Sequence, residues 1–325
     1  MNILIVGGAG YIGSHMVKLL VERGHMITVF DNLSSGYRDA VDPTAEFIHR
    51  DLSDRSFLNN LLSRNFDGIM HFASSIDVNE SVSQPEKYYR NNLINSLNLL
   101  DAIASNGGGR LIFSSTAAIF GNPLKIPIDE HHPCSPINPY GRSKLMLEQA
   151  LGDYEKAHGI QSICLRYFNA AGAASDGSLG ERHQPETHLI PLVLKTAAGH
   201  REYINIFGDD YDTPDGTCVR DYVHVMDICE AHLLALERLV RCGESSVYNL
   251  GSGKGFSVRE IITTAEEVTG RAVPFVISPR RAGDPAQLVA DVNKSHAELG
   301  WRPQYAELSK IISDAWRWEV QLSSR

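Results

Sequence analysis

The residues whose types and spacing could do chemistry lie in Ser114-Ser115-Thr116 and in Tyr140-Gly141-Arg142-Ser143-Lys144. Four apart on a helix, Tyr140 and Lys144 share one face. A phenol with a pKa of about 10 is a weak base at neutral pH, and a neighbouring cation lowers that value. The pair therefore suits removal of a proton from a substrate hydroxyl, with the Thr116 hydroxyl holding the same oxygen. Tyr-x-x-x-Lys is a common pattern on helix surfaces. Its weight here comes from the Ser-Ser-Thr strand end upstream and from the fold around both.

Residues 1–31 define that fold. Asn2-Ile3-Leu4-Ile5-Val6 is a short apolar run of the kind that forms a buried parallel strand. Gly7-Gly8-Ala9-Gly10-Tyr11-Ile12-Gly13 follows, then helical spacing over 14–23, then a second strand, 26–30, ending on Asp31. Gly7 suits a tight turn, Gly10 the close approach of a pyrophosphate, and Gly13 the packing of helix on sheet. The helix start turns its amides and positive dipole end towards the phosphates. Asp31, 18 residues past Gly13, is placed to accept from an adenine-ribose diol and to repel a 2′-phosphate, so NAD is expected over NADP. NAD would add a cationic nicotinamide near Tyr140 and a ribose within reach of Lys144.

Composition narrows the classes. Of 325 residues, 43% are hydrophobic and 21% charged, as in ordinary globular chains. A net charge of −9 argues against a nucleic-acid or anionic-membrane surface. No uncharged apolar run approaches about 18 residues. Met1-Asn2-Ile3 enters the first strand directly, so neither a membrane span nor a signal peptide is expected. Cys134, Cys164, Cys218, Cys229 and Cys242 are widely spaced with no Cys-x-x-Cys pair, which suits reduced thiols in a cytoplasm. No metal-ligand spacing connects the histidines, and none is assigned to a metal. His131-His132 reads as a solvated loop.

Strands and helices alternate after Asp31. Strands are expected at 46–49, 68–73, 110–116 and 162–166, and helices at 55–64, 85–106 and 140–158, with Ser74-Ser75 as a tight turn. This predicts an α/β fold, a doubly wound Rossmann-like parallel sheet with ligands at the carboxyl ends of its strands. The texture changes after Ala170: a loop at 173–186, a short helix at 189–198, and an Asp-, Gly- and Pro-rich stretch at 204–220. A long helix at 225–241 and a strand at 247–251 return to the main sheet. Two interleaved units are expected, an NAD-binding domain of 1–170 plus about 224–250, and a smaller α/β substrate-binding domain of about 171–223 plus 251–325.

The chain resembles the extended short-chain dehydrogenase/reductase superfamily and, within it, the UDP-glucose 4-epimerase (UDP-galactose 4-epimerase) family, nearly end to end. GGAGYIGSH at 7–15 and FSSTAAIFG at 113–121 are motifs of the superfamily. DNLSSG at 31–36, HFA at 71–73, NPYGRSK at 138–144, RYFNAAGA at 166–173 and YNLGSG at 248–253 continue the match. PETHLIPLV at 185–193, the FGDDYDTPDGTCVRDYVHV run at 207–225 and RRAGD at 280–284 are more specific to the 4-epimerases. The resemblance implies NAD-dependent interconversion of UDP-glucose and UDP-galactose through a 4-keto sugar, with hydride returned to either face of C4.

By the same resemblance, Tyr11, Ile12, Asp31, Asn32, Ser35, Gly36, Asp51, Leu52, Phe72, Ala73, Asn91, Ser114, Lys144 and Tyr167 match NAD-contacting positions. Thr116 and Tyr140 match the catalytic hydroxyls. Asn169, His188, Leu189, Arg220, Tyr222, Arg281 and Asp284 match positions that hold the UDP-sugar, and a diphosphate in an acidic protein needs such guanidinium partners. Leu288 falls where the family gates the space around the sugar C2 substituent, or else is a core leucine on a short strand. A homodimer through the helices at about 91–106 and 141–158 is implied. Two positions depart from the pattern: Ile76 replaces a lysine that some members place near the cofactor phosphates, and His188 replaces an asparagine. Nucleotide-sugar dehydratases carry an acid pair after the threonine, but Ala117 and Ala118 stand here, which removes their general acid. A 4-epimerase of UDP-N-acetylglucosamine or of UDP-xylose and UDP-arabinose, a nucleotide-sugar oxidoreductase, and a non-catalytic NAD-binding regulator are the alternatives.

Overall fold

The computed structural model describes residues 1–281 and 284–323. Its main sheet is built from β1 (Asn2–Val6), β2 (Met26–Asp31), β3 (Glu46–His49), β4 (Gly68–His71), β5 (Gly109–Thr116) and β6 (Ile160–Tyr167). Side chains alternate along a strand, and both faces of this sheet are covered. Ile3 and Ile5 of β1 enter one apolar cluster and Leu4 and Val6 the other, which is why the run reads as continuously apolar. Between the strands run α1 (Tyr11–Glu22), α2 (Arg55–Leu62), α3 (Val78–Ser83), α4 (Pro85–Tyr88), α5 (Asn95–Ser105) and α6 (Pro139–His158).

The smaller part follows: β7 (Asn169–Ala171), α7 (Leu189–Ala197), β8 (Ile204–Phe207), β9 (Val219–Arg220) and β10 (Tyr222–His224). Then α8 (Val225–Cys242) and β11 (Ser246–Leu250) rejoin the main sheet. β12 (Phe256–Ser257), α9 (Val258–Thr269), β13 (Phe275–Ser278), β14 (Gln287–Leu288) and α10 (Leu308–Leu322) complete the chain. The seven strands run in the order β11-β6-β5-β4-β1-β2-β3, and every pairing is parallel. From β1 the chain proceeds to β2 and β3, then crosses to β4 on the other side. The crevice between the carboxyl ends of β1 and β4 is therefore the switch point where such sheets bind ligands.

Four local expectations change. The first helix starts at Tyr11, three residues before the expected start at 14. The single helix expected over 85–106 is α4, a widened π-helical segment at Tyr89–Ile94, and α5. Asn92 lies in the widened segment and is pulled inward: its Oδ1 accepts from Ser75 N (2.8 Å), and its Nδ2 donates to Ser75 O (3.0 Å) and Ser143 Oγ (3.3 Å). Ser74-Ser75 is accordingly a clamped connection with no turn. His132 is buried, its Nε2 accepting from Leu124 N at 2.8 Å, so of the pair only His131 is solvated.

Candidate active site

Parallel strand ends gather the site. Gly7 follows β1 with φ +84°, and a Cβ there would lie 2.4 Å from Ala73 N beyond β4. Gly13 packs just as closely, since a Cβ would lie 2.1 Å from Gly7 O. Gly10 differs: the nearest protein atom to a Cβ would be Gly7 O at 3.5 Å, an ordinary contact. Nothing in the protein demands glycine there, so the open position fits a ligand that comes down on the backbone. Gly10 caps α1 with no side-chain hydrogen bond, and the first amides of the helix face the same place. Asp31, at the end of β2, is buried and accepts from Ala9 N (2.9 Å) and Leu33 N (2.8 Å). Those bonds aim its carboxylate beside the glycine turn. The residues present fit NAD.

Other expected cofactor residues line the same strand ends. Asn32 Nδ2 donates to Asp51 Oδ2 at 2.5 Å. Gly36 packs against Ala9, and Ser35, Ala9, Gly10 and Tyr11 help line an open cleft. Tyr11 OH donates to Gly172 O at 2.7 Å, tying α1 to the smaller part. Ile12 packs on the core behind the glycine turn, and Leu52 is buried in the core on the other face of the sheet. Phe72, after β4, lies 4.7 Å between ring centroids from His232, which also faces Tyr167 at the end of β6. Asn91 Nδ2 donates to Ser75 Oγ at 3.1 Å. The Ser114 hydroxyl bonds to the Tyr167 hydroxyl.

The chemical trio meets where β5 ends and α6 begins. Asn138 caps α6, its Oδ1 accepting from Gly141 N at 2.8 Å, and Pro139 takes the first helical position. That start puts Tyr140 against the strand end, near enough to the Thr116 side chain for it to draw the phenol's pKa down. One turn on, Lys144 is buried; its Nζ donates to Ser114 O at 2.9 Å and lies 6.0 Å from the Tyr140 ring centroid. The electrostatics depart from expectation. Burial pushes the Tyr140 phenol up, and the group that draws it back is Thr116, not Lys144. Burial also brings Lys144 from 10.5 down to about 7, against the pull of Glu148. The lysine is thus poised between its two protonation states at neutral pH.

The expected sugar-nucleotide residues come from the smaller part. Asn169 on β7 and Tyr222 on β10 are direct partners in a parallel ladder. Arg220 Nη2 lies 3.4 Å from Asp284 Oδ1, and Leu288 pairs with Arg220 in the β9–β14 ladder. His188 is the residue before α7 and Leu189 its first member. The Arg281 guanidinium stands 3.8 Å over the Phe207 ring. Of the RRAGD run, Ala282 and Gly283 lie outside the described residues. Leu288 is half-buried and packs on the small cluster of Ala117, Ile119, Phe120 and Ile128, so it is partly a core residue.

Sequence spacing missed the support beneath the trio. The Glu148 carboxylate accepts from Arg166 Nε (3.0 Å) and Nη2 (2.6 Å), and also from the Ser115 hydroxyl. Both charged side chains are under a tenth exposed, so each neutralises the other. The Lys144–Glu148 spacing of four was the available signal; Arg166 carried none.

A family model, NAD dependent epimerase/dehydratase family, matches residues 3–251. The chain belongs to this family. A UDP-glucose 4-epimerase of Streptococcus mutans is 50% identical over 321 residues, 98% of this chain and 96% of that protein. The crystal structure of UDP-glucose 4-epimerase from Brucella ovis in complex with NAD superposes with a TM-score of 0.94 at 47% identity, covering 97% of each chain. The UDP-Glc/GlcNAc 4-epimerase of Campylobacter jejuni superposes with a TM-score of 0.87 at 46% identity, covering 98% of this chain and 99% of that one.

Proposed function

We propose that this family member is an isomerase, an NAD-dependent 4-epimerase that interconverts UDP-glucose and UDP-galactose through transient oxidation at C4. The observation that carries the reading is the meeting of Thr116, Tyr140 and Lys144 beside a glycine turn shaped for a dinucleotide. Bound NAD supplies acceptance and return of hydride at the sugar C4. The chain does the rest. Tyr140 takes the proton of the C4 hydroxyl and later returns one to the 4-keto oxygen, while Thr116 holds that oxygen. Lys144, tied to the strand that carries Thr116, supplies a donor to the cofactor ribose beside the phenol. Gly7, Gly10, Tyr11, Ile12, Gly13, Asp31, Asn32, Ser35, Gly36, Asp51, Leu52, Phe72, Ala73, Asn91, Ser114 and Tyr167 form the cofactor's bed.

Asn169, His188, Leu189, Arg220, Tyr222, Arg281 and Asp284 hold the UDP moiety. The sugar, held only through its nucleotide, turns over between the two hydride transfers. Residues 1–170 with about 224–250 then carry NAD, and about 171–223 with 251–325 carry the UDP-sugar. No helix among the described residues is long and apolar enough to cross a membrane. We place the enzyme in the cytoplasm, in galactose metabolism, as a homodimer through α5 and α6. Purified protein given UDP-glucose, with no nicotinamide nucleotide added, should yield UDP-galactose. No product, together with net reduction of added NAD, would instead identify an oxidoreductase.

A further inference from the structure

Glu181, His183, Glu186 and His188 come from one eight-residue stretch before α7, and each offers a ligand atom within 4.8 Å of the others. The two carboxylate side chains are only 5% and 4% exposed. Glu186 Oε1 accepts from Thr187 N (2.8 Å) and His188 N (2.9 Å), but its Oε2 is buried with no partner. A buried carboxylate oxygen left unpaired is costly, and this one belongs to the cluster. His183 Nδ1 is also buried without an aligned hydrogen bond, 3.2 Å from Glu181 Oε1 and 3.8 Å from Glu186 Oε1. Bonds of about 2.0–2.1 Å directed tetrahedrally hold neighbouring donors about 3.3 Å apart. The His183–Glu181 separation meets this, His183–Glu186 is wider, and His188 Nδ1, now hydrogen-bonded to Glu181 Oε1, parts from it to admit the ion.

We propose that Glu181, His183, Glu186 and His188 bind one divalent first-row transition ion of the zinc class. Two imidazole nitrogens and two carboxylate oxygens suit zinc better than magnesium or calcium, which favour all-oxygen shells of six or more. The ion's two positive charges balance the two buried carboxylates. The walls are firm: the Tyr11 ring stands edge-on to His183 at 6.4 Å, and Trp318 Nε1 donates to Glu181 O at 2.9 Å. Protons are the competing occupants. An imidazole nitrogen must be free of its proton to bind a metal, so affinity rises with pH. The bound ion closes residues 181–188 into a chelate and fixes His188 where α7 starts. Ion binding is measured without substrate, so it stands or falls apart from the sugar reading.

The test uses untagged, full-length protein stripped with a chelator and titrated with cobalt(II), with zinc content measured separately by mass spectrometry. The Cys242→Ser variant removes the exposed thiol as a competing ligand. One metal per chain and the intense visible absorption of four-coordinate cobalt are expected. Glu186→Gln and His183→Ala should each weaken affinity on the order of 100-fold. The wild-type cobalt spectrum decides the matter even if a variant folds poorly. The weak absorption of six-coordinate cobalt, or zinc retained unchanged by both variants, overturns the site.

Discussion

Lys144 Nζ donates to the main-chain oxygen of Ser114 at 2.9 Å, so the ammonium is anchored to the strand carrying Thr116 and not to the Tyr140 hydroxyl. That anchor is buried, and burial lowers the lysine from 10.5 to about 7. Between those two values the unfolded chain holds a proton that the folded chain has released. Stability must therefore rise with pH across that window and be lowest below about pH 7. Lys144→Met removes the buried charge and forfeits one hydrogen bond worth about 1 kcal/mol. The variant should show a higher urea midpoint than the parent at pH 7, an advantage that fades towards pH 10, along with much lower turnover. A lower midpoint at pH 7 would contradict the assignment.

Tyr140→Phe should lose on the order of 10²–10⁴ in kcat, as for a missing acid–base group. Because Thr116 is the group that draws the Tyr140 pKa down, Thr116→Val should move the alkaline-rising limb of kcat to higher pH, and Thr116→Ser should restore it. Lys144→Ala should shift the same limb upward if its charge acts on the phenol. An unmoved limb in that variant would leave Lys144 with positioning alone.

Redox balance makes a further point measurable. The overall reaction neither consumes nor yields reducing equivalents, so the protein has no need to release its nucleotide. Acid denaturation of the purified protein should liberate NAD(H) and not its phosphorylated counterpart. Asp31→Ala strands the Ala9 and Leu33 amides and should cost about 1–3 kcal/mol in stability. With an arginine placed nearby, the same variant should turn preference towards NADP.

Leu288 links sugar choice to packing. Leucine offers an acetamido group no hydrogen bond, and a misfit of this kind is worth about 1–3 kcal/mol, roughly 10- to 200-fold. Strong UDP-glucose/UDP-galactose interconversion with weak UDP-N-acetylglucosamine activity is expected, and slow turnover of UDP-xylose and UDP-arabinose. Since Leu288 also packs on Ala117, Ile119, Phe120 and Ile128, Leu288→Ala should lose about 1–3 kcal/mol of stability while raising the N-acetyl to plain-hexose ratio. Lost stability with an unmoved ratio would make it a core residue only.

Ile94 is 52% exposed and Met146 42%, the first just ahead of α5 and the second on α6. Paired substitution of both by Glu should convert a sedimenting dimer to monomer with the fold intact by circular dichroism. A sedimentation coefficient equal to that of the parent would exclude this face as the interface.

Features whose cause is local were legible from the chain alone. The apolar run of β1, the glycine turn and the acid ending β2 follow from side-chain alternation, positive φ and short-range packing. Tyr140 and Lys144 share a face because helix geometry is the same wherever a helix sits, and Asn138-Pro139 sets its start. Sequence spacing also carried the return of a strand, expected at 247–251 and found at 246–250, to the sheet after a long helix. Tertiary structure alone decided which distant groups meet. Arg166 reaches Glu148 because β6 lies beside β5, and Asn169 pairs with Tyr222 because β7 and β10 align in register. Burial, created only when both faces of the sheet are covered, sets Lys144 near 7 and raises Tyr140, reversing the simple expectation that one would lower the other. Irregular backbone between 181 and 188 has no period to read, so only the folded chain brings its two histidines and two glutamates together.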